Sequence, residues 1–156
     1  MKLFADTNWL VASYFQTSDD DRSGIVGRFA RKHDHPLVVV PLVYLESRNV
    51  FAWIARDANP KEWQMLQADI GSRLLLAPMD WAALSKKSEE LFARHSHRGK
   101  LGTFDVMLVA AALESDATHF LSFDTNSNAR ALAAACKLKV FPELTESDRQ
   151  RLAALR

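Results

Sequence analysis

Cysteine is nearly absent. Cys136 is the only one in the chain, which excludes an internal disulfide and suits a reducing compartment. Nowhere does an apolar run approach the roughly 18–20 residues that cross a bilayer, so a soluble, cytoplasmic protein without a membrane role is expected. Neither sign of charge dominates: 20 Lys and Arg face 19 Asp and Glu. A nucleic-acid partner is therefore neither demanded nor excluded, because a local basic patch can sit on a neutral protein. Glycine is scarce, and none of it forms a phosphate-cradling Gly-rich loop. There is no G-x-S-x-G, no setting that would make Cys136 a nucleophile, and no Cys/His spacing for zinc, since His95 and His97 point to opposite sides of any regular element. The 156 residues carry no repeat and no low-complexity segment. They suffice for one domain, residues 1–156, with a substantial core.

Hydrophobicity concentrates in Gly102–Asn126. Thr103 reads as the N-cap of a helix to about Ser115, and that helix shows no polar face, as expected of an element in the middle of a domain. Yet Asp105 sits in its first turn. His119–Phe123 then reads as a buried strand with Asp124 at its C-terminal edge. An unpaired carboxylate in such surroundings costs several kcal/mol, so both acids call for a physical reason.

Earlier in the chain, Lys2–Ala5 reads as a buried strand ended by Asp6, with Thr7 and Asn8 able to cap a helix from about Trp9 to Phe15. Ser18 reads as the N-cap of the next helix, with Asp19, Asp20 and Asp21 in its first turn, where the helix dipole favours negative charge. The competing reading of this triple-acid run is a metal loop. Leu37–Val40 is an all-apolar strand, and Pro41 opens a helix to about Arg56. At about 100° per residue from Leu42, Trp53, Val50, Val43 and Ile54 share one arc, and Glu46 falls inside it at about 40°. A surface glutamate belongs on the opposite side, near Arg48. A buried ion pair, a ligand or a catalytic role remain for Glu46.

Asn59-Pro60 starts a helix through Trp63, Leu66 and Ile70, with Gly71 near its end. Leu74–Ala77 reads as a third buried strand, and Asp80 caps a helix with Trp81, Leu84, Leu91 and Phe92 on its apolar side. Arg94–Lys100 is basic. It is either a solvated loop or, because it leads directly to Asp105, a phosphate contact through Arg98 and Lys100. Asn126–Cys136 is an Ala-rich helix, Lys139–Phe141 adds an edge strand, and Thr145 starts a terminal helix with Asp148 in the capping-box position. Alternating strands and helices indicate an α/β fold with a mainly parallel sheet.

Asp6 and Asp124 stand at the C-terminal ends of strands, where open α/β sheets bind ligands. Each of Asp6, Asp105 and Asp124 alone also fits a helix-start acid. Together with Glu46 they would repel one another, and a hard divalent cation resolves that, since Mg²⁺ takes oxygen ligands and keeps several waters. An acidic metal site with little else points to phosphoryl chemistry.

The ordered set F-A-D-T-N-W-L, Glu46 after L-V-V-V-P, L-G-T-F-D-V-M-L-V-A-A-A-L and F-L-S-F-D-T-N-S-N-A-R-A-L-A resembles the PIN domain, and within it the VapC-type toxins of bacterial toxin–antitoxin systems. The resemblance implies a five-stranded parallel sheet flanked by helices and a Mg²⁺- or Mn²⁺-dependent endoribonuclease. It also implies a homodimer inhibited by an antitoxin encoded nearby. By position, Asp6, Glu46, Asp105 and Asp124 match the acidic quartet, as catalytic residues and metal ligands. Thr7 and Asn8 match polar residues beside the first Asp. Asn126 stands where many PIN domains carry a further acid, and joins them as a substrate-positioning residue. Leu108 replaces a His common in related sequences. Two other readings compete: a non-catalytic PIN-fold module that binds RNA or assembles, and a haloacid-dehalogenase-type phosphatase. The latter wants an acid where Asn8 stands.

Overall fold

Five of the apolar runs become strands: β1 (Leu3–Ala5), β2 (Leu37–Val39), β3 (Leu74–Leu76), β4 (His119–Leu121) and β5 (Lys139–Phe141). The structure, a computed structural model, describes residues 1–16 and 21–156. The strands form a five-stranded sheet in the order β3-β2-β1-β4-β5, and every neighbouring pair is parallel. The register sets Ala5 against Leu121, so β1 and β4 end side by side. All three residues of β1 are buried, as befits the central strand. The expected α/β architecture is the observed one.

Parallel strands require crossovers, and helices supply them. From β1 to β2 run α1 (Thr7–Tyr14) and α2 (Arg22–Lys32), then α3 (Pro41–Ala55) and α4 (Lys61–Asp69) lead to β3. The chain returns across the sheet through α5 (Trp81–His95) and α6 (Thr103–Glu114) to β4, and α7 (Ala129–Ala135) leads to β5, followed by α8 (Glu146–Leu155). Helices α1 to α4 pack among themselves, as do α5 to α8 in sequence. The direction of strand addition reverses between β1 and β4, the switch point where open α/β sheets leave a crevice at the strands' C-terminal ends. No helix among the described residues is long and apolar enough to cross a membrane.

Helix α6 is as central as its composition requires, with Val106 and Leu108 to Ala112 all buried. Aromatic rings close the α1 side: Trp9 stacks on Phe123 at 5.1 Å and meets Phe29 and Phe141 edge-on.

Several expectations need correction. Thr103 is the first helical residue, and Gly102 holds the N-cap position without a side-chain bond. The cap of α1 is Asp6 itself, whose carboxylate accepts the Thr7 amide, and the helix starts two residues earlier than Trp9. Pro60, rather than Asn59, precedes α4. The Ala-rich helix starts at Ala129, after an irregular turn from Asp124. Strand β3 is at the sheet edge, with Leu75 and Leu76 exposed rather than buried. Trp81 is likewise exposed. The buried side of α3 centres on Val43, Ser47 and Phe51, leaving Trp53 65% exposed, so of the apolar arc read from the sequence Val43 faces the core while Trp53 and Ile54 do not. Ser18, Asp19 and Asp20 lie outside the described residues, and Asp21 occupies the N-cap position of α2 without capping it. The Thr145 capping box with Asp148 is present as expected.

Candidate active site

One cavity of about 360 Å³ opens at the switch point, lined by Asp6, Thr7 and Asn8 of α1's start, Glu46, Val50 and Ile54 of α3, Phe104, Asp105 and Leu108 of α6, and Asp124. The four sequence-predicted acids thus share one space, brought there by four elements far apart in the chain. The arc of α3 that is not core is the wall of this cavity, which is why Glu46 sits among apolar neighbours.

Asp6 leaves β1 and turns at once into α1. It is 5% exposed. Its Oδ1 accepts the Thr7 amide at 2.7 Å and its Oδ2 accepts the Ser122 hydroxyl at 2.9 Å. Among the described residues it joins no ion pair. Burial raises its pKa to about 6, with the charges of Glu46 and Asp124 adding to the rise and the two hydrogen bonds opposing it. Asp105 is raised too, first by burial and then by Asp124 and Glu46, while a hydrogen bond from Ser127 opposes. Gly102 gives this carboxylate room, since a Cβ there would lie 3.1 Å from Asp105 Oδ2. Glu46 is half-buried.

Beyond β4 the chain is irregular, and side chains fix it. Ser122 Oγ also accepts the Asp124 amide at 3.1 Å, and Asp124 Oδ1 accepts the Asn126 amide at 3.0 Å. Asn8 Oδ1 accepts the Phe123 amide at 2.8 Å, stitching α1's first turn to the end of β4. Thr7 is 6% exposed, and its hydroxyl is buried without a partner among the described residues. An orphaned hydroxyl beside four carboxylates costs free energy unless a ligand meets it.

Arg98 and Lys100 do not line the cavity. Arg98 Nε points to His97, and the Lys100 carbonyl accepts from Asn128. The basic side chain lining the cavity among the described residues is Arg22, at the start of α2, with its guanidinium 5.2 Å from the Phe123 ring centroid. Nothing in the sequence distinguished it from other helix-start arginines. Asn126 is exposed and outside the lining, and contributes through its amide. Ser122 and Ser127 were also missed, although each lies within three residues of Asp124. Burial pushes the Cys136 thiol up, away from nucleophilic use.

The donor set contains only oxygen, as a hard divalent cation prefers. Among the described residues no three acidic, His or Cys side chains stand in a group that closes around one ion. A bound dication would have to complete its coordination with water, as hard divalent cations can. Charge that burial and mutual repulsion disfavour here is what a dication would relieve.

A family model for the PIN domain matches residues 3–135. None of the curated proteins matches the chain. Among solved structures, the chain is similar to the Mycobacterium tuberculosis toxin VapC20, described as cleaving the sarcin-ricin loop, with a TM-score of 0.62 and 16% identity over 86% of this chain and 95% of that one. At that identity the likeness is one of fold.

Proposed function

The chain belongs to the PIN-domain family, and from that premise we propose that it is a Mg²⁺- or Mn²⁺-dependent endoribonuclease, the toxin of a type II toxin–antitoxin pair. The single observation that carries this reading is the convergence of Asp6, Glu46, Asp105 and Asp124 on one cavity at the sheet's switch point, with Asp6 and Asp105 held above the usual carboxylate range.

Asp6, Glu46, Asp105 and Asp124 line the cavity that would receive the cation, with water completing its coordination. When bound, it supplies charge neutralisation for a phosphodiester and acidifies water, so no side-chain nucleophile is needed. The residues of the chain then divide the remaining work. Thr7 offers its unpartnered hydroxyl to a phosphate oxygen, and Arg22 adds guanidinium donors at the cavity rim. Ser122 orients the Asp6 carboxylate, and Ser127 favours the charged form of Asp105. Val50, Ile54 and Leu108 form an apolar wall that lowers the local dielectric and strengthens these contacts. Asn8 is committed to the Phe123 amide, which together with family membership sets the phosphatase reading aside. A PIN-fold module that only binds RNA would have no use for four acids around one cavity.

The rest of the reading follows the same premise. Residues 1–156 act as one cytoplasmic nuclease domain. The exposed Leu45, Trp53 and Ile54 of α3 provide apolar surface for a second copy or for the antitoxin. The target named for the similar toxin makes the sarcin-ricin loop the first substrate to try. Cleavage is expected with Mg²⁺ or Mn²⁺ and not in EDTA. Asp6→Asn, Glu46→Gln, Asp105→Asn and Asp124→Asn should each lower the rate by about 100-fold or more, as loss of a group acting in the transition state does. Normal cleavage by Glu46→Gln would remove that residue from the quartet, and cleavage by wild type in EDTA would sink the metal-dependent reading.

A further inference from the structure

Residues 122–128 serve three of the four carboxylates at once. Ser122 donates to Asp6, Asp124 belongs to the segment, and Ser127 stands close enough to Asp105 to favour its charged form. Yet this stretch is neither helix nor strand, and irregular backbone drifts unless it is gripped from outside. The grip comes from residues that do not line the cavity. Arg130, 1% exposed, donates through Nη1 to the Ser122 carbonyl and through Nη2 to the carbonyls of Pro142 and Glu143, both at 2.8 Å. Its Nε meets Asp148 Oδ2 at 3.0 Å, and that same oxygen accepts the Thr145 amide in the cap of α8. One turn along α8, Arg151 donates to the Thr125 carbonyl. Pro142, Glu143, Asp148 and Arg151 all lie beyond residue 135, where the match to the family ends.

We propose that the C-terminal segment from β5 through α8 is a clamp that acts through Arg130 and Arg151 to hold residues 122–128, and with them the Asp6, Asp105 and Asp124 carboxylates, in binding geometry. The proposal rests on reading those acids as a cation site. Arg130 and Arg151 are positioning residues: neither lines the cavity. Guanidinium suits the task, because its planar fork fixes several acceptors in direction at once, which a lysine ammonium on a flexible stem does not. Residues that orient ligands from behind are worth about 10–100-fold in metal affinity or activity. A bare structural ion pair would instead affect only stability.

Arg151 is half-buried, so Arg151→Met keeps the packed stem and removes the donors, and Arg151→Lys restores one. Three measurements on the full chain separate the readings: Mn²⁺ titration by calorimetry, cleavage kinetics, and amide hydrogen exchange resolved by residue. For Arg151→Met the expected result is an unchanged urea midpoint, Mn²⁺ affinity about 10-fold weaker, kcat lowered with KM for RNA unchanged, and faster exchange at Asp124 and Asn126 but not in β1. Arg151→Lys should recover part of each. Arg130→Lys should show the larger loss, and if it fails to fold, Arg151→Met carries the test. Wild-type Mn²⁺ affinity and unaltered exchange in Arg151→Met would overturn the clamp and leave the proposed nuclease standing. If wild type itself binds no Mn²⁺, the nuclease reading falls. Exchange then judges the clamp alone: faster exchange at Asp124 and Asn126 keeps it as a holding device, and unchanged exchange overturns it.

Discussion

Asp6 and Asp148 are both buried carboxylates at the starts of helices, and they live in opposite surroundings. Asp148 is 0% exposed and paired with a buried guanidinium. It also completes a capping box. Asp6 is nearly as buried, accepts from one amide and one hydroxyl, and faces two further acids that raise its pKa. The first arrangement pairs its charge with a cation, although Asp148 Oδ1 has no hydrogen-bond partner among the described residues. The second has both oxygens hydrogen-bonded but no cationic partner, a charge deficit that a proton or a cation can relieve, and such sites are where function concentrates.

Removing one member of each set should move stability in opposite directions. Asp148→Ala strands the Arg130 charge in the interior and should cost about 3–5 kcal/mol, read as a lower urea midpoint. Metal-free Asp6→Asn should be at least as stable as wild type. A loss in Asp6→Asn comparable to that in Asp148→Ala would erase the contrast and reduce Asp6 to a cap.

Acid should sharpen the same comparison. Raising a carboxyl from 3.8 to about 6 means the folded state binds the proton more tightly than the unfolded chain. The cost of the ionised form is therefore fully present above about pH 6 and is relieved as pH falls towards 3.8. It corresponds to roughly 3 kcal/mol. In EDTA, the stability advantage of Asp6→Asn over wild type should shrink across that window. An advantage that stays constant with pH would show that Asp6 ionisation is not its source.

Cation binding comes next in size. At 100 times its dissociation constant, Mg²⁺ should stabilise wild type by about 2.7 kcal/mol and Asp6→Asn by clearly less, measured by melting with and without EDTA. Equal shifts in both would place the ion elsewhere. The smallest effect concerns the basic residues. Replacing Arg98 and Lys100 together with Ala should change stability by less than about 0.5 kcal/mol, since neither lines the cavity. Arg22→Ala should weaken RNA binding and flatten its salt dependence. A loss of RNA binding from the Arg98/Lys100 pair as large as that from Arg22→Ala would place the loop in the substrate path.

Local pattern was enough for much of the fold. The short apolar runs of Leu37–Val40, Leu74–Ala77 and Lys139–Phe141 read as strands because a strand is set by a few consecutive residues. Pro41, Asp80 and the Thr145/Asp148 pair announced helix starts because capping is a contact within one turn. The acids stood out for a related reason: carboxylates inside or beside apolar runs conflict with their own neighbours in sequence, and that conflict is visible without a structure.

What only the tertiary structure decided is whatever depends on which strands become neighbours. Leu75 and Leu76 look as core-like as Val38 and Val39, but strand order puts β3 at an edge. Trp53 and Trp81 follow helical periodicity yet face outward, because periodicity fixes which residues share a side and not what that side meets. Arg130 and Asp148 are eighteen residues apart and meet only because α7 and α8 pack together. Arg22, Ser122 and Ser127 join the carboxylates in the same way. By itself the sequence determined that charge would be trapped near an apolar centre. Packing determined which of those charges has a partner, because compensation of a buried charge depends on contacts a few ångströms long between residues that the chain does not hold together.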